Sequence, residues 1–273
     1  ALLPYMIRDG GLLLVAADFD AEQLSYNMLC NNAIKSGEVL WNWRIDIGSD
    51  FVSSFSFYTL GSPFFWLSLA VPARLMPWAM VPLLCLKMAV AGGGAYLWAR
   101  RWVREEGWSM LAGCLYAFSG FSIYNIFFNH FHEAIIAFPL LLAALDEYMY
   151  TKRRGIFALM VAAACIVNYY FFVGMVTFTV IYFFVRLLSG SWHITVKDFL
   201  LLALEAVLGL GIACILLVPS VLCIIQNYRV SNPISGWSAL LYDRNQRYIH
   251  ILQCLFFPPD LPARPNFTPD SES

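Results

Sequence analysis

Residues 16–26 read AADFDAEQLSY and residues 129–133 read NHFHE. In the first stretch Asp18, Asp20 and Glu22 place three carboxylates within five positions. A carboxylate can take the proton of an attacking hydroxyl, so Asp18 is a candidate general base and Asp20 its substitute. The plainer use is a helix cap, where a carboxylate meets free N–H groups and the positive end of the helix dipole. The second stretch offers His130, His132 and Glu133. Two imidazoles and a carboxylate are metal-ligand types. On a helix, residues two apart diverge, and in an extended turn they point the same way. Spacing therefore leaves three uses open: a metal, a phosphate or hydroxyl held by His132 with Glu133, and a hydrogen-bonded turn.

Further polar groups sit in apolar surroundings. Lys87, in LLCLKMAVA, is deep within a hydrophobic run, where a charge is costly and faces the bundle interior. It pairs with Glu205 of the last run, or it neutralises a phosphate in a cavity open to lipid. VNYYFF places Asn168, Tyr169 and Tyr170 at a tight turn, where they hydrogen-bond a sugar or anchor the chain at the interface. Arg229, Arg244 and Arg247 follow the last run and are either candidate phosphate ligands or, more commonly for such a tail, exposed loop residues. Seven cysteines are scattered through apolar stretches without a C-x-x-C pair, so they read as small buried hydrophobes rather than disulfides or a zinc site. AGGGAY (91–96) lies inside a span and reads as close helix packing.

These residues are positioned by a membrane scaffold. The 273-residue chain is 60% hydrophobic and 13% charged, against about 25% charged in a soluble domain. Its net charge of −1 gives no electrostatic footprint for nucleic acid. The sequence predicts an all-α, polytopic bundle, a single transmembrane domain over 1–273 that reads as a piece of a longer chain. Residues 8–76 form a first outer loop with interfacial helices, 77–225 about six spans, and 226–273 the start of another outer loop. The apolar runs are Trp78–Trp98, Trp108–Phe127, Ala134–Met149, Gly155–Phe171, Val173–Leu187 and Phe199–Ile225, with a kink at Pro139. Arg100, Arg101 and Arg104, then Lys152–Arg154, then Arg186 and Lys197 fall in alternate loops. The positive-inside rule makes those loops cytoplasmic and the acidic and histidine-bearing segments outward-facing. SPFFWLSLAVP (62–72) is too short to span and reads as an interfacial or re-entrant helix. Asp18–Ser36 suits a helix ended by Gly37, with Leu24, Met28, Leu29 and Ile34 on one face and Gln23, Asn27, Asn31 and Lys35 on the other. Such a helix lies on the membrane with its polar side to water.

Several blocks in order, DFDAEQLSYNMLCNNAIKSG, WNW, DIGSDF, SFYTLGSPFFWL, LKMAVAGGGAYLW, LYAFSGFSIYNIFFNHFHEAI, FPLLL and VNYYFF, resemble the bacterial YfhO-type membrane protein family over nearly the whole chain. The family looks like the GT-C class of glycosyltransferases. The resemblance implies a GT-C-type bundle, a polyprenyl-phosphate sugar donor and a cell-envelope acceptor such as teichoic acid on the outer face. It also implies an essential acid in the first large outer loop. Asp18 matches that acid, Asp20 stands where relatives often carry Asn, and Gln23 matches a recurring Gln. Relatives of this class differ in their need for a divalent cation, and no decisive ligand cluster is visible here. The rival reading is a transporter or lipid flippase with a polar path through Lys87 and Glu205, although no inverted repeat is evident.

Overall fold

The computed structural model describes residues 3–13, 18–45, 47–225 and 248–249. Arg229, Arg244 and Arg247 lie outside the described residues. Of two units, Ala1–Cys223 and Ile224–Ser273, the first carries the bundle and the candidate site.

The chain opens with a short helix α1 (Leu3–Arg8), then a π-helical turn over Phe19–Gln23 that runs into α2 (Leu24–Ser36). Gly37 ends α2 as expected: its φ is +78°, and the Gly37 and Glu38 amides return to Ile34 O (3.3 Å) and Ala33 O (2.9 Å). This left-handed residue closes the helix at no steric cost because it has no Cβ. A two-residue antiparallel pair, Trp41–Asn42 with Ser49–Asp50, precedes α3 (Phe51–Phe55) and a second π-turn over Ser56–Leu60. Then comes α4 (Pro63–Ser68), with Ser62 accepting from the Phe65 amide and Pro63 at the first position, the sequence signature of a helix start. It is too short to cross a bilayer, as expected.

The membrane part follows: α5 (Met76–Ala99), α6 (Glu106–Ala117), α7 (Gly120–Tyr124), α8 (His132–Thr151), α9 (Ile156–Val167), α10 (Tyr169–Leu188) and α11 (Val196–Ile225). Among the described residues five helical segments are long and apolar enough to span. This is an all-α membrane bundle. The fourth expected run, Gly155–Phe171, is the exception. It forms only the 12-residue α9, about 18 Å long against a hydrocarbon core of about 30 Å. Both its ends are fixed by side chains. Asn168 leaves the helical region (φ −163°, ψ 93°) and caps α10 by accepting from the Phe171 amide at 3.2 Å. At the other end Glu205, within α11, accepts from the amides of Gly155 (2.9 Å) and Ala158 (3.2 Å).

Because lipid tails are as apolar as leucine, helix association in a membrane rests on close packing and hydrogen bonds. Both are visible. A Cβ on Gly113 of α6 would stand 2.6 Å from Gly92 O of α5, so the AGGGAY stretch is a close helix crossing, as its sequence suggests. A Cβ on Gly209 of α11 would meet Ala158 O of α9 at 2.4 Å. Helices α5 and α8 run parallel, tied at two levels: Lys87 Nζ to Glu133 at 2.7 Å and Arg101 to Glu147 at 2.9 Å, both pairs 46 residues apart in sequence. Between them Trp98 Nε1 donates to Asp146 at 3.0 Å.

The basic loops gather at one end of the bundle. Arg153 also reaches Glu147, Lys152 reaches Asp198, and Arg186 donates to the Tyr150 hydroxyl. The π-turn before α2, the start of α4, the NHFHE turn and Asn168 meet one another at the other end, through Gln23–His130, Ser62–Glu133 and Asn168–His130.

Candidate functional site

Phe19, 2% exposed, seats the π-turn among Leu13, Met76, Met80 and Leu84. This anchor holds Asp18 and Asp20 half-buried at the edge of the turn. Asp18 stands at the start of the turn, in helical conformation, and its side chain makes no capping bond. The capping use is thus not taken up, and its carboxylate is free of that duty.

Five residues on, Gln23 points inward. Its Oε1 lies 3.1 Å from His130 Nδ1. With a carbonyl oxygen as partner, Nδ1 carries the proton, and Nε2 is a bare acceptor. The imidazole is boxed by Phe57 (4.7 Å between ring centres), Tyr58 (4.9 Å) and Phe131 (4.6 Å). Tyr58 in turn lies 4.9 Å from Tyr26. Burial first, then Tyr26, Glu22, Asp18 and Tyr169, hold the Tyr58 phenol above its ordinary range. The acidic turn and the histidine turn therefore share one neighbourhood, bridged by Gln23 and Tyr58.

His132 does not join His130. Its Nε2 lies 3.0 Å from Ser122 O, which ties α8 to α7. The two imidazoles diverge, as residues two apart on a helical turn must. Among the described residues no group of three or more His, Cys, Asp or Glu side chains could hold a metal ion.

Lys87 is paired, but its partner is Glu133 and not Glu205. Its ammonium meets Glu133 Oε1 (2.7 Å), Asn129 O (2.9 Å) and Asn129 Oδ1 (3.0 Å). An ammonium has three donors, and all three are used. The Ser62 hydroxyl also donates to Glu133 Oε1. A phosphate at Lys87 would have to displace protein acceptors. Glu205 meanwhile caps α9 through the Gly155 and Ala158 amides. Asn168 supports the turn from behind, its Nδ2 donating to His130 O at 3.2 Å. Tyr169 packs its ring 5.6 Å from Phe57, while Tyr170 is 66% exposed and serves as an anchor.

The polar face of α2 also differs from the sequence reading. Gln23, Asn27 and Asn31 are all buried, at 1%, 5% and 0% exposed. Asn31 Nδ2 donates to Ser68 O and Val71 O at 3.2 Å each, and Lys35 Nζ to Val71 O at 2.7 Å. Ser68 O, at the end of the short helix α4, also accepts from the Val71 amide at 2.9 Å, and Val71 O lies just beyond that turn. Apart from Lys35, the stripe thus faces protein rather than water. Sequence reasoning also passed over Tyr58, Phe57, Ser62 and Asn129. In SFYTLGSP only the Ser-Pro helix start marks Ser62 as more than an interfacial residue.

Three buried polar atoms around this centre have no protein partner: Gln23 Nε2, His130 Nε2 and Glu133 Oε2. One is a donor and two are acceptors, a set suited to a polar guest.

Residues 5–253 match the family model described as Bacterial membrane protein YfhO. No curated protein and no solved structure matches the chain. With the family model covering nearly the whole chain, and a helical membrane bundle beneath it, this protein belongs to the YfhO family of bacterial membrane proteins.

Proposed function

We propose that this protein is a GT-C-type membrane glycosyltransferase that moves a sugar from a polyprenyl-phosphate carrier to a cell-envelope acceptor such as teichoic acid. By the positive-inside rule the basic end of the bundle faces the cytoplasm, and the site faces the outer side of the cell membrane. Asp18 takes the proton of an acceptor hydroxyl. The oxygen attacks the anomeric carbon, the bond from that carbon to the carrier phosphate breaks, and polyprenyl phosphate leaves with the electron pair. One displacement inverts the anomeric centre and needs no covalent intermediate, so one base suffices. His130 and Gln23 hold the guest's hydroxyls, and Asn168 and Tyr169 support their turn. The Lys87 ammonium is already occupied by Glu133 and Asn129, and of the candidates for the carrier phosphate His132 keeps Nδ1 without a protein partner.

The observation that carries this reading is the join between the acidic and histidine turns. Asp18, unspent on a cap, stands five residues from a glutamine bonded to His130, beside buried polar atoms without partners. The test is outer-surface glycan analysis of cells carrying the full-length protein, its Asp18→Asn variant and its Asp20→Asn variant. Loss of the sugar with Asp18→Asn, at normal membrane abundance, supports the assignment, and transfer that persists removes Asp18 from the chemistry. Transport or lipid flipping without any transfer would favour the rival class.

A further inference from the structure

We propose that the basic end of the bundle, remote from the candidate site, binds the phosphate of an anionic lipid headgroup through Arg186 and Trp192. Arg186, near the end of α10, has its guanidinium carbon 4.1 Å from the centre of the Trp102 ring and 5.4 Å from that of Trp192. Its Nη2 donates to the Tyr150 hydroxyl at 2.7 Å. The acids of this end are engaged elsewhere. Glu147 takes Arg101 and Arg153, Asp198 takes Lys152, and Asp146 accepts from Trp98 Nε1 and the Tyr182 hydroxyl. Among the described residues Arg186 makes no ion pair with a carboxylate.

Two donors here are unsatisfied. Arg186 Nε and Trp192 Nε1 are buried without an acceptor, and Trp192 as a whole is 2% exposed. Guanidinium and indole N–H groups can only donate. The missing partner is therefore an acceptor. An anionic phosphoryl oxygen brings no hydrogens of its own and matches both donors and the guanidinium charge. Trp102 and Tyr150, 40% and 52% exposed, mark this as headgroup depth. Basic pockets between helix ends are where anionic headgroups settle. Arg186 is half-buried and Trp192 buried.

The test uses the full chain in nanodiscs of phosphatidylcholine mixed equally with phosphatidylglycerol, and reads the lipids retained by native mass spectrometry. Wild type should retain phosphatidylglycerol over phosphatidylcholine. Trp192→Phe, which removes one N–H and keeps the ring's bulk, should cut that preference about tenfold, the worth of one hydrogen bond to a charged group. Arg186→Gln should abolish it, and Arg100→Gln, an exposed cation of the same end, should keep it. In detergent, millimolar inorganic phosphate alone should not protect the protein from thermal unfolding, while phosphatidylglycerol should. Protection by phosphate that matches the lipid would move the ligand to a soluble anion. No preference in wild type, or equal preference in the Trp192 and Arg186 variants, would overturn the site.

Discussion

Replacing Lys87 by methionine keeps the length of the stem and removes the ammonium. The Glu133 carboxylate and both Asn129 oxygens then lose a donor, at 2.7, 2.9 and 3.0 Å. Both charged side chains are at most 3% exposed, so water does not step in. Breaking one side of a buried ion pair costs about 3–5 kcal/mol, because the surviving charge is left in low dielectric. A companion variant, Lys87→Met with Glu133→Gln, removes that charge too and keeps an acceptor for the Ser62 hydroxyl. It should recover more than half of the loss. The assay is the unfolding midpoint of the purified protein on titrating SDS into mild detergent, followed by circular dichroism. A single variant within about 1 kcal/mol of wild type, or a double variant no more stable than the single, would refute the reasoning. The double variant also separates framework from chemistry. If it folds and still transfers sugar, Lys87 only holds the turn. If it folds and transfer is lost, Lys87 returns as a ligand of the carrier phosphate.

Glu205→Ala removes both caps from α9; it should cost about 1–3 kcal/mol and speed amide exchange at Gly155 and Ala158 without changing exchange around His130. Asn31→Leu takes one donor each from the Ser68 and Val71 carbonyls, which keep the Val71 amide and Lys35 Nζ, and should cost about 0.5–1.5 kcal/mol by the same SDS titration. Gly113→Ala forces a Cβ against Gly92 O and should cost about 1–3 kcal/mol by separating α5 from α6, while Gly107→Ala, which meets nothing within 4 Å, should be neutral. Burial pushes the Cys30 thiol up to about 12, against a hydrogen bond from Thr59 that lowers it. In the folded protein at pH 8, N-ethylmaleimide should therefore spare Cys30 and label it only after unfolding. Because the folded value lies above the unfolded one, the Cys30 contribution to stability is complete below pH about 9. It drains away as the pH climbs toward 12.

Much of the scaffold can be read from the sequence because the signals are local. Gly37 stops α2, Ser62 and Pro63 start α4, and the glycines of α5 mark a close crossing, each through backbone geometry that needs no distant partner. The alternation of basic loops likewise survives in the structure as one basic end. What periodicity cannot say is which medium a face meets. Gln23, Asn27, Asn31 and Lys35 share one side of α2, but its first three residues are buried against protein and only Lys35 reaches water. Lys87 posed the same difficulty. Its depth demanded a partner, yet Glu133 and Glu205 both lie in helical runs, and only the parallel run of α5 and α8 selects Glu133. The fourth run failed for another reason. Apolar composition continued through Asn168, and the cap that splits α9 from α10 is a single side chain. At the site, the meeting of the Asp18 turn with the His130 turn depends on Gln23 and Tyr58, two residues that composition alone assigns to a polar stripe and an aromatic belt.

The two ion pairs between α5 and α8 have a mechanical consequence. Lys87 and Arg101 are fourteen residues apart, as are Glu133 and Glu147, which puts the two ties about 21 Å from each other along the helices. The Lys87–Glu133 tie is buried and the Arg101–Glu147 tie, just past the end of α5, is partly exposed, so the first carries more of the restraint. Shifting α8 by one turn would open both together. A movement of α8 past α5 must therefore break a buried ion pair, because Glu133 and Asn129 of the histidine turn are held against α5 by Lys87.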